Sequence, residues 1–217
     1  MVPRLRLFED TLPNAARLLL PEPLARMIYV VHGSVAINDA SFADGGAWHG
    51  NGPAELVAGI TGVTCWRFEF CRGAEPVRAP QPGVISHLKL SAALETLPAG
   101  ELLMRGDSVA FPPGGCAFLH THQGPGIRVL LDGGIRIDTH GRSTSYGPGG
   151  AWYETGPDPV FAQAAADRAS RFVRVMILPR LLLGKSSIKY LREEDVAKPK
   201  VQQYKSFVDI PVEMPSS

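Results

Sequence analysis

Short apolar runs punctuate this chain: MIYVVHG, TCWRFEF, SVAFPP, AFLHTH, IRVLLDG, IRIDTHG and RFVRVMILP. Each has the length of a strand and stops at Gly, Pro or a polar turn signal, which predicts β-structure. Helical periodicity is weak. FAQAAADRA (161–169) reads as a turn of helix or a loop, and LREEDVAKP (191–199) as a short helix stopped by Pro199. Many short strands with turns between them predict an all-β sandwich or barrel.

The pattern also repeats. GGAWHGNGPAEL (45–56) and GGAWYETGPDPV (149–160) share GGAW and then GP at a spacing of 104 residues. The same spacing carries Arg67-Phe68 onto Arg171-Phe172, and VVHGSVAIN (30–38) meets LLDGGIRID (130–138) at a spacing of 100. Three matches in one order predict a duplication, and 217 residues accommodate two β units in tandem. The expected division is an N-terminal unit over 1–80, a C-terminal unit over 81–179 and an arm over 180–217. The boundary falls in the proline-rich RGAEPVRAPQPGV (72–84). The arm follows the last repeat match and has no counterpart after the first copy, so the barrels are expected not to need it. It is too apolar for a disordered tail. It is expected to pack across a barrel surface and to contribute to a homodimer, with an intramolecular wrap over one sheet as the alternative.

Composition narrows the partners. The net charge is +1 with charges scattered, so no nucleic-acid footprint is expected. No apolar run approaches the ~18 residues of a membrane span, and MVPRLRLFEDTLP lacks the apolar core of a signal peptide, which predicts a cytoplasmic protein. Cys65, Cys71 and Cys116 fit reduced thiols, and the lack of a CxxC spacing argues against a thiolate zinc site.

The chemistry gathers in HTHQGPGIRVLLDGG (120–134). In a strand His120 and His122 share a face, and imidazoles at that spacing can grip one metal ion. In GGAWYE, Trp152 and Glu154 share one face and Tyr153 takes the other. If Trp152 points inward, Glu154 joins the histidines in a two-His, one-carboxylate set. If Tyr153 points inward, Glu154 faces out. Arg128 keeps the parity of His122 unless a bulge intervenes, and an inward guanidinium would bind an anionic or enolate-like group. Arg128 and Arg136 flank the site strand, and an outward surface arginine is the equal alternative to the inward one. Gln123 is a candidate hydrogen-bond donor to ligand or metal-bound water, and Tyr153 a candidate proton donor. Phe111, Phe118, Trp152 and Phe161 would supply apolar pocket walls. His87 reads as an exposed strand residue and His140 as a turn residue. His32 and His49 have no ligand spacing.

GGCAFLHTH (114–122), LLDGGIRI (130–137) and YGPGGAWYETGPDPVFA (146–162) together resemble the cupin superfamily, and specifically the bicupins. Gly114, His120, His122 and Gly133 match the family's first metal motif, and Gly126 stands where that motif has Glu. The second motif's His is replaced by Tyr153 or by Phe161, depending on which Gly-Pro turn is matched. The first copy lacks His-x-His and has Arg26 at the Glu position, so it resembles a degenerate cupin. The resemblance implies tandem jelly-roll barrels and one divalent transition metal (Fe, Mn, Ni or Zn) in the C-terminal barrel on His120 and His122; strand parity offers Glu154 as the third ligand if Trp152 points inward. It implies a dioxygenase, isomerase or cyclase acting on a small organic molecule. The alternative is a binding or sensing cupin that has lost the complete metal site.

Overall fold

Alternation of apolar and polar side chains makes each strand two-faced, and the strands bury one face by pairing into curved sheets. The computed structural model describes residues 1–73 and 81–213, so most of the expected boundary segment lies outside the described residues. The chain forms two compact units, Met1–Glu95 and Thr96–Ser217.

The first unit contains β1 (Arg4–Leu12), β2 (Arg17–Leu20), β3 (Ala25–Ile37), β4 (Ala40–Ala43), β5 (Ala47–Gly50), β6 (Ala54–Cys71) and β7 (Ile85–Ala93). They form one sheet in the order β4-β3-β6-β1-β7, with β2 also on β6 and β5 also on β3. Leu12, Ile28, Val30, Ile37, Leu56, Val63 and Cys65 fill its interior.

The second unit contains β8 (Leu102–Phe111), β9 (Cys116–His122), β10 (Gly126–Asp132), β11 (Ile135–Thr139), β12 (Arg142–Tyr146), β13 (Ala151–Glu154), β14 (Val160–Ala164) and β15 (Ser170–Pro179). A 3-10 turn (Arg180–Leu182), β16 (Ile188–Tyr190), the helix α1 (Glu193–Ala197) and β17 (Gln203–Val212) complete it. Two five-stranded sheets result, ordered β13-β10-β15-β8-β17 and β12-β11-β14-β9-β16. Val109, Phe111, Leu130, Ile137, Trp152, Val160 and Phe172 pack between them. The segment FAQAAADRA is the end of β14 and a loop, and LREEDVAKP does contain the short helix.

The repeat is written into the hydrogen bonds. Gly45 donates to the Val30 carbonyl and Val30 to Gly46; Gly149 donates to Leu130 and Leu130 to Gly150. Ile28 lies opposite Trp48 as Arg128 lies opposite Trp152, so the two tryptophans hold equivalent places. The equivalence of Arg67-Phe68 with Arg171-Phe172 does not hold. Ile28 faces Arg67 and Arg128 faces Arg174, so Arg67 corresponds to Arg174.

The unit boundary also differs from the expected one. β7 pairs with β1 and therefore belongs to the first unit, which ends at Glu95 rather than at residue 80. The arm does have a counterpart. β17 pairs with β8 as β7 pairs with β1, and each pairing has a register shift at the matching point, Gly106/Asp107 and Leu7/Phe8. Sequence comparison missed this because an edge strand needs only a compatible outline, and ISHLKLSAA and QYKSFVDIPV share almost no side chains.

Candidate metal and ligand site in the second unit

A bulge aims the histidines. Val160 lies opposite His120 but Ala162 lies opposite Ala117, so β9 carries an extra residue between them. Ala117, His120 and His122 consequently all face the interior, and both imidazoles are buried. Their Nε2 atoms stand 3.3 Å apart. The Nδ1 of His120 is 2.6 Å from the Phe118 carbonyl oxygen, and the Nδ1 of His122 is 3.4 Å from Ser187 Oγ. As donor to that carbonyl, His120 leaves its Nε2 lone pair free toward the interior.

Strand alternation in β13 buries Trp152 and Glu154 and leaves Tyr153 on the other face. The Trp152 indole donates to Glu154 Oε1 at 2.9 Å. Arg128 also points inward, and its Nη2 is 2.7 Å from Glu154 Oε2. This is a charge contact without hydrogen-bond direction, because both atoms lack a hydrogen-bond partner. The Arg128 side chain folds back so that Nη1 donates to the Gly126 carbonyl at 2.6 Å. That explains the glycine at the family's Glu position. A Cβ on Gly126 would sit 2.6 Å from the Val175 carbonyl oxygen, 2.7 Å from Met176 Cγ and 3.0 Å from Arg128 Nη1. A second buried pair lies alongside: Arg174 donates through Nε and Nη2 to Asp107 at 2.7 and 3.1 Å.

These groups surround a cavity of about 20 Å³, lined by His120, His122, Arg128, Trp152, Glu154 and Gln202 among others. That volume holds about one water or one ion. Burial pushes the His120 pKa down, and burial together with the Arg128 and Arg174 charges pushes His122 well below the usual value. Both rings are therefore neutral at neutral pH. Burial also lowers Arg128, to about 10, against the opposing pull of Glu154. It remains a cation.

The fit to a metal is specific in part. Two nitrogens each about 2.0–2.1 Å from one tetrahedral ion stand about 3.3 Å apart, which is the separation of the Nε2 pair. The orphaned Glu154 Oε2 lines the same cavity, 3.8 Å from His122 Nε2. Among the described residues no group of three or more His, Cys, Asp and Glu is already in ligating arrangement. Two donors are thus in place, with a carboxylate one small movement away.

Several expected site residues lie elsewhere. Tyr153 is on the opposite face of β13 from Glu154. Gln123 is exposed in the turn after β9. Phe161 alternates out of the interior that Val160 and Ala162 face. Phe118 gives its carbonyl to His120, while its ring lies under Lys198 and Lys200. Phe111 and Trp152 do line the cavity. Arg136 is paired with Asp138 at the surface, His140 with Asp158 and His32 with Asp44; His49 and His87 are exposed.

Gln202, Ser187, Arg174 and Asp107 were not anticipated. Gln202 is buried, and its amide stands against the Tyr190 hydroxyl without hydrogen-bond geometry. Ser187 and Gln202 belong to the arm, and only a signal placing the arm over β9 could have found them.

The first unit carries none of this. By register Leu20 stands in the place of His120, Ile28 in that of Arg128 and Gly50 in that of Glu154. Its corresponding end is filled by a buried network: Arg26 with Glu69, Glu69 with Arg67, and Arg67 with Asp10.

No protein-family model and no curated protein matches the sequence. Solved structures do. The oxalate decarboxylase of Lactobacillus farciminis, in its formate complex, superposes with a TM-score of 0.64 at 12% identity, over 89% of this chain and 82% of that one. The oxalate decarboxylase of Bacillus subtilis, studied for its Mn(II) centres, gives 0.61 at 12% identity, over 92% and 81%. A serine-to-alanine mutant of that Bacillus subtilis enzyme gives 0.59 at 14% identity, over 80% and 68%. Identities this low carry the fold and nothing finer, and oxalate decarboxylases are bicupins. The chain has the all-β jelly-roll fold of the cupin superfamily.

Proposed function

We propose that the second unit is a cupin metal centre acting on a small organic anion. The observation that carries this reading is the convergence of two buried, neutral imidazoles on one ion-sized cavity, with their Nε2 atoms 3.3 Å apart. His120 and His122 would hold a divalent transition metal, with Glu154 as third donor. When bound, such an ion supplies Lewis acidity or oxygen activation, as a dioxygenase, isomerase or cyclase requires. The chain's own residues prepare the site. Trp152 orients the Glu154 carboxylate, and Phe118 and Ser187 orient the imidazoles. Arg128 and Arg174 balance the charges of Glu154 and Asp107, and the apolar wall of Val109, Phe111, Val160 and Phe172 keeps bulk water out.

A second reading, a metal-free binding or sensing cupin, draws on one observation: the Arg128 cation already neutralises Glu154. Metal analysis separates the two. One bound metal per chain, lost in His120→Ala, supports the first reading. A chain that takes up no metal from a divalent-metal solution supports the second.

The homodimer is also a proposal. The second unit leaves Leu181, Leu183, Leu191, Val196 and Val201 exposed, and a second copy of the chain would cover them. A cytoplasmic location remains part of the same reading. No helix among the described residues is long and apolar enough to cross a membrane.

A further inference from the structure

A larger cavity adjoins the histidine site. It has a volume of about 350 Å³, the size of a small-molecule pocket, and shares Arg174, Ile188 and Tyr204 with the small one. Its other walls are Arg105 and Asp107 of β8, Ser206 and Asp209 of β17, and the strap Gly184–Ser187. The strap's Ser187 is the residue whose hydroxyl reaches His122.

The charged groups of this cavity leave a cationic surplus. Asp209 accepts from Arg105 Nε and Nη2 and from the Gly184 amide. Asp107 accepts from two nitrogens of Arg174. Both carboxylates are therefore occupied. Arg105 is mostly occupied too: its other bonds go to the Lys185 and Leu182 carbonyls, so four of its five N–H groups are engaged. On the donor side, Arg174 uses Nε and Nη2 on Asp107, which leaves Nη1. Lys185 contributes an ammonium, and Tyr204, Ser186 and Ser206 contribute hydroxyls. The Ser186 oxygen already accepts from the Ile188 amide, so its proton is the part on offer. Tyr204 exposes about half its surface (53%), yet burial raises the pKa of its hydroxyl, which stays protonated. Three cations against two anions leave the wall one positive charge in excess.

We propose that this cavity binds a small organic monocarboxylate, with its anionic end held by Arg174, Lys185 and Tyr204. A single excess charge matches a carboxylate better than a phosphate dianion. This goes beyond the reading of the histidine pair as the reaction centre, which the cavity adjoins through Arg174, Ile188 and Tyr204. Binding itself needs no metal.

The test is an NMR titration of the full chain with benzoate, its neutral isostere benzamide and inorganic phosphate, following the backbone amides of Ser186, Ser187 and Ser206. Benzoate should shift these amides saturably, benzamide should not, and phosphate should bind more weakly. Lys185→Gln and Tyr204→Phe should each weaken benzoate about three- to tenfold, as expected for loss of one ordinary, solvent-accessible hydrogen bond. Both positions are solvent-accessible, so the fold tolerates the changes. Metal-stripped full chain should bind benzoate as tightly as chain supplied with a divalent metal, which keeps this claim separable from the metal reading. No saturable shift with benzoate, equal binding of benzamide, tighter binding of phosphate, or indifference to both substitutions would overturn it.

Discussion

At the scale of single residues, Gly126 is fixed by its surroundings. The space beyond its Cα is taken by the Val175 carbonyl, Met176 and the returning Arg128 guanidinium. Gly126→Ala should destabilise the protein by about 1–3 kcal/mol, the usual cost of overpacking, measured by urea unfolding. Wild-type stability in that variant would show that the guanidinium is not held there. The imidazoles make a second prediction. Their folded pKa values lie below the ordinary 6.5, so between the two values the unfolded chain binds more protons. Stability of metal-stripped protein should be full above about pH 6.5 and fall as pH drops toward the lowered values. Unfolding midpoints across about pH 5–8 check this, and His122→Gln should flatten the slope. A parallel profile in the variant would contradict the buried, neutral state of His122. That His120 shares a face with His122, and Glu154 with Trp152, was legible from parity; parity alone leaves open whether Trp152 or Tyr153 turns inward. Phe118 falls outside the pocket because the bulge in β9 breaks the alternation that would have placed it on the face of His120.

At the scale of elements, the arm is part of the barrel. β17 covers the edge of β8, β16 covers the edge of β9, and Leu182, Val208 and Val212 are buried beneath them. Ile188 and Tyr190 lie opposite His122 and His120, so the arm also shields the site. A chain ending at Arg180 should expose two sheet edges and a wet histidine site, and so aggregate or lose its metal. Soluble, metal-loaded truncated protein would contradict this. Apolar content showed that the arm must be ordered. Its pairing partners were hidden, because pairing is made by backbone groups that every residue supplies.

For the whole molecule, the all-β class and the duplication were legible because apolar runs and GGAW turns recur in order, and Trp48 and Trp152 do fall at equivalent places. The unit boundary was not, because the last strand of the first unit follows the proline-rich segment in sequence. The exposed leucines and valines of the second unit predict self-association. Light scattering should give twice the 23.4 kDa chain mass, and Leu181→Lys with Leu183→Lys should halve it. A monomeric wild-type chain would end the dimer proposal. The most direct measurement is metal content by elemental analysis of the full chain, set against its His120→Ala and His122→Ala variants. About one first-row divalent metal per chain, lost in both variants, is the expected result, since two imidazoles are the donors already in place. Full occupancy in either variant, or a wild-type chain that takes up no metal when it is supplied, would contradict the assignment of His120 and His122 as the metal centre.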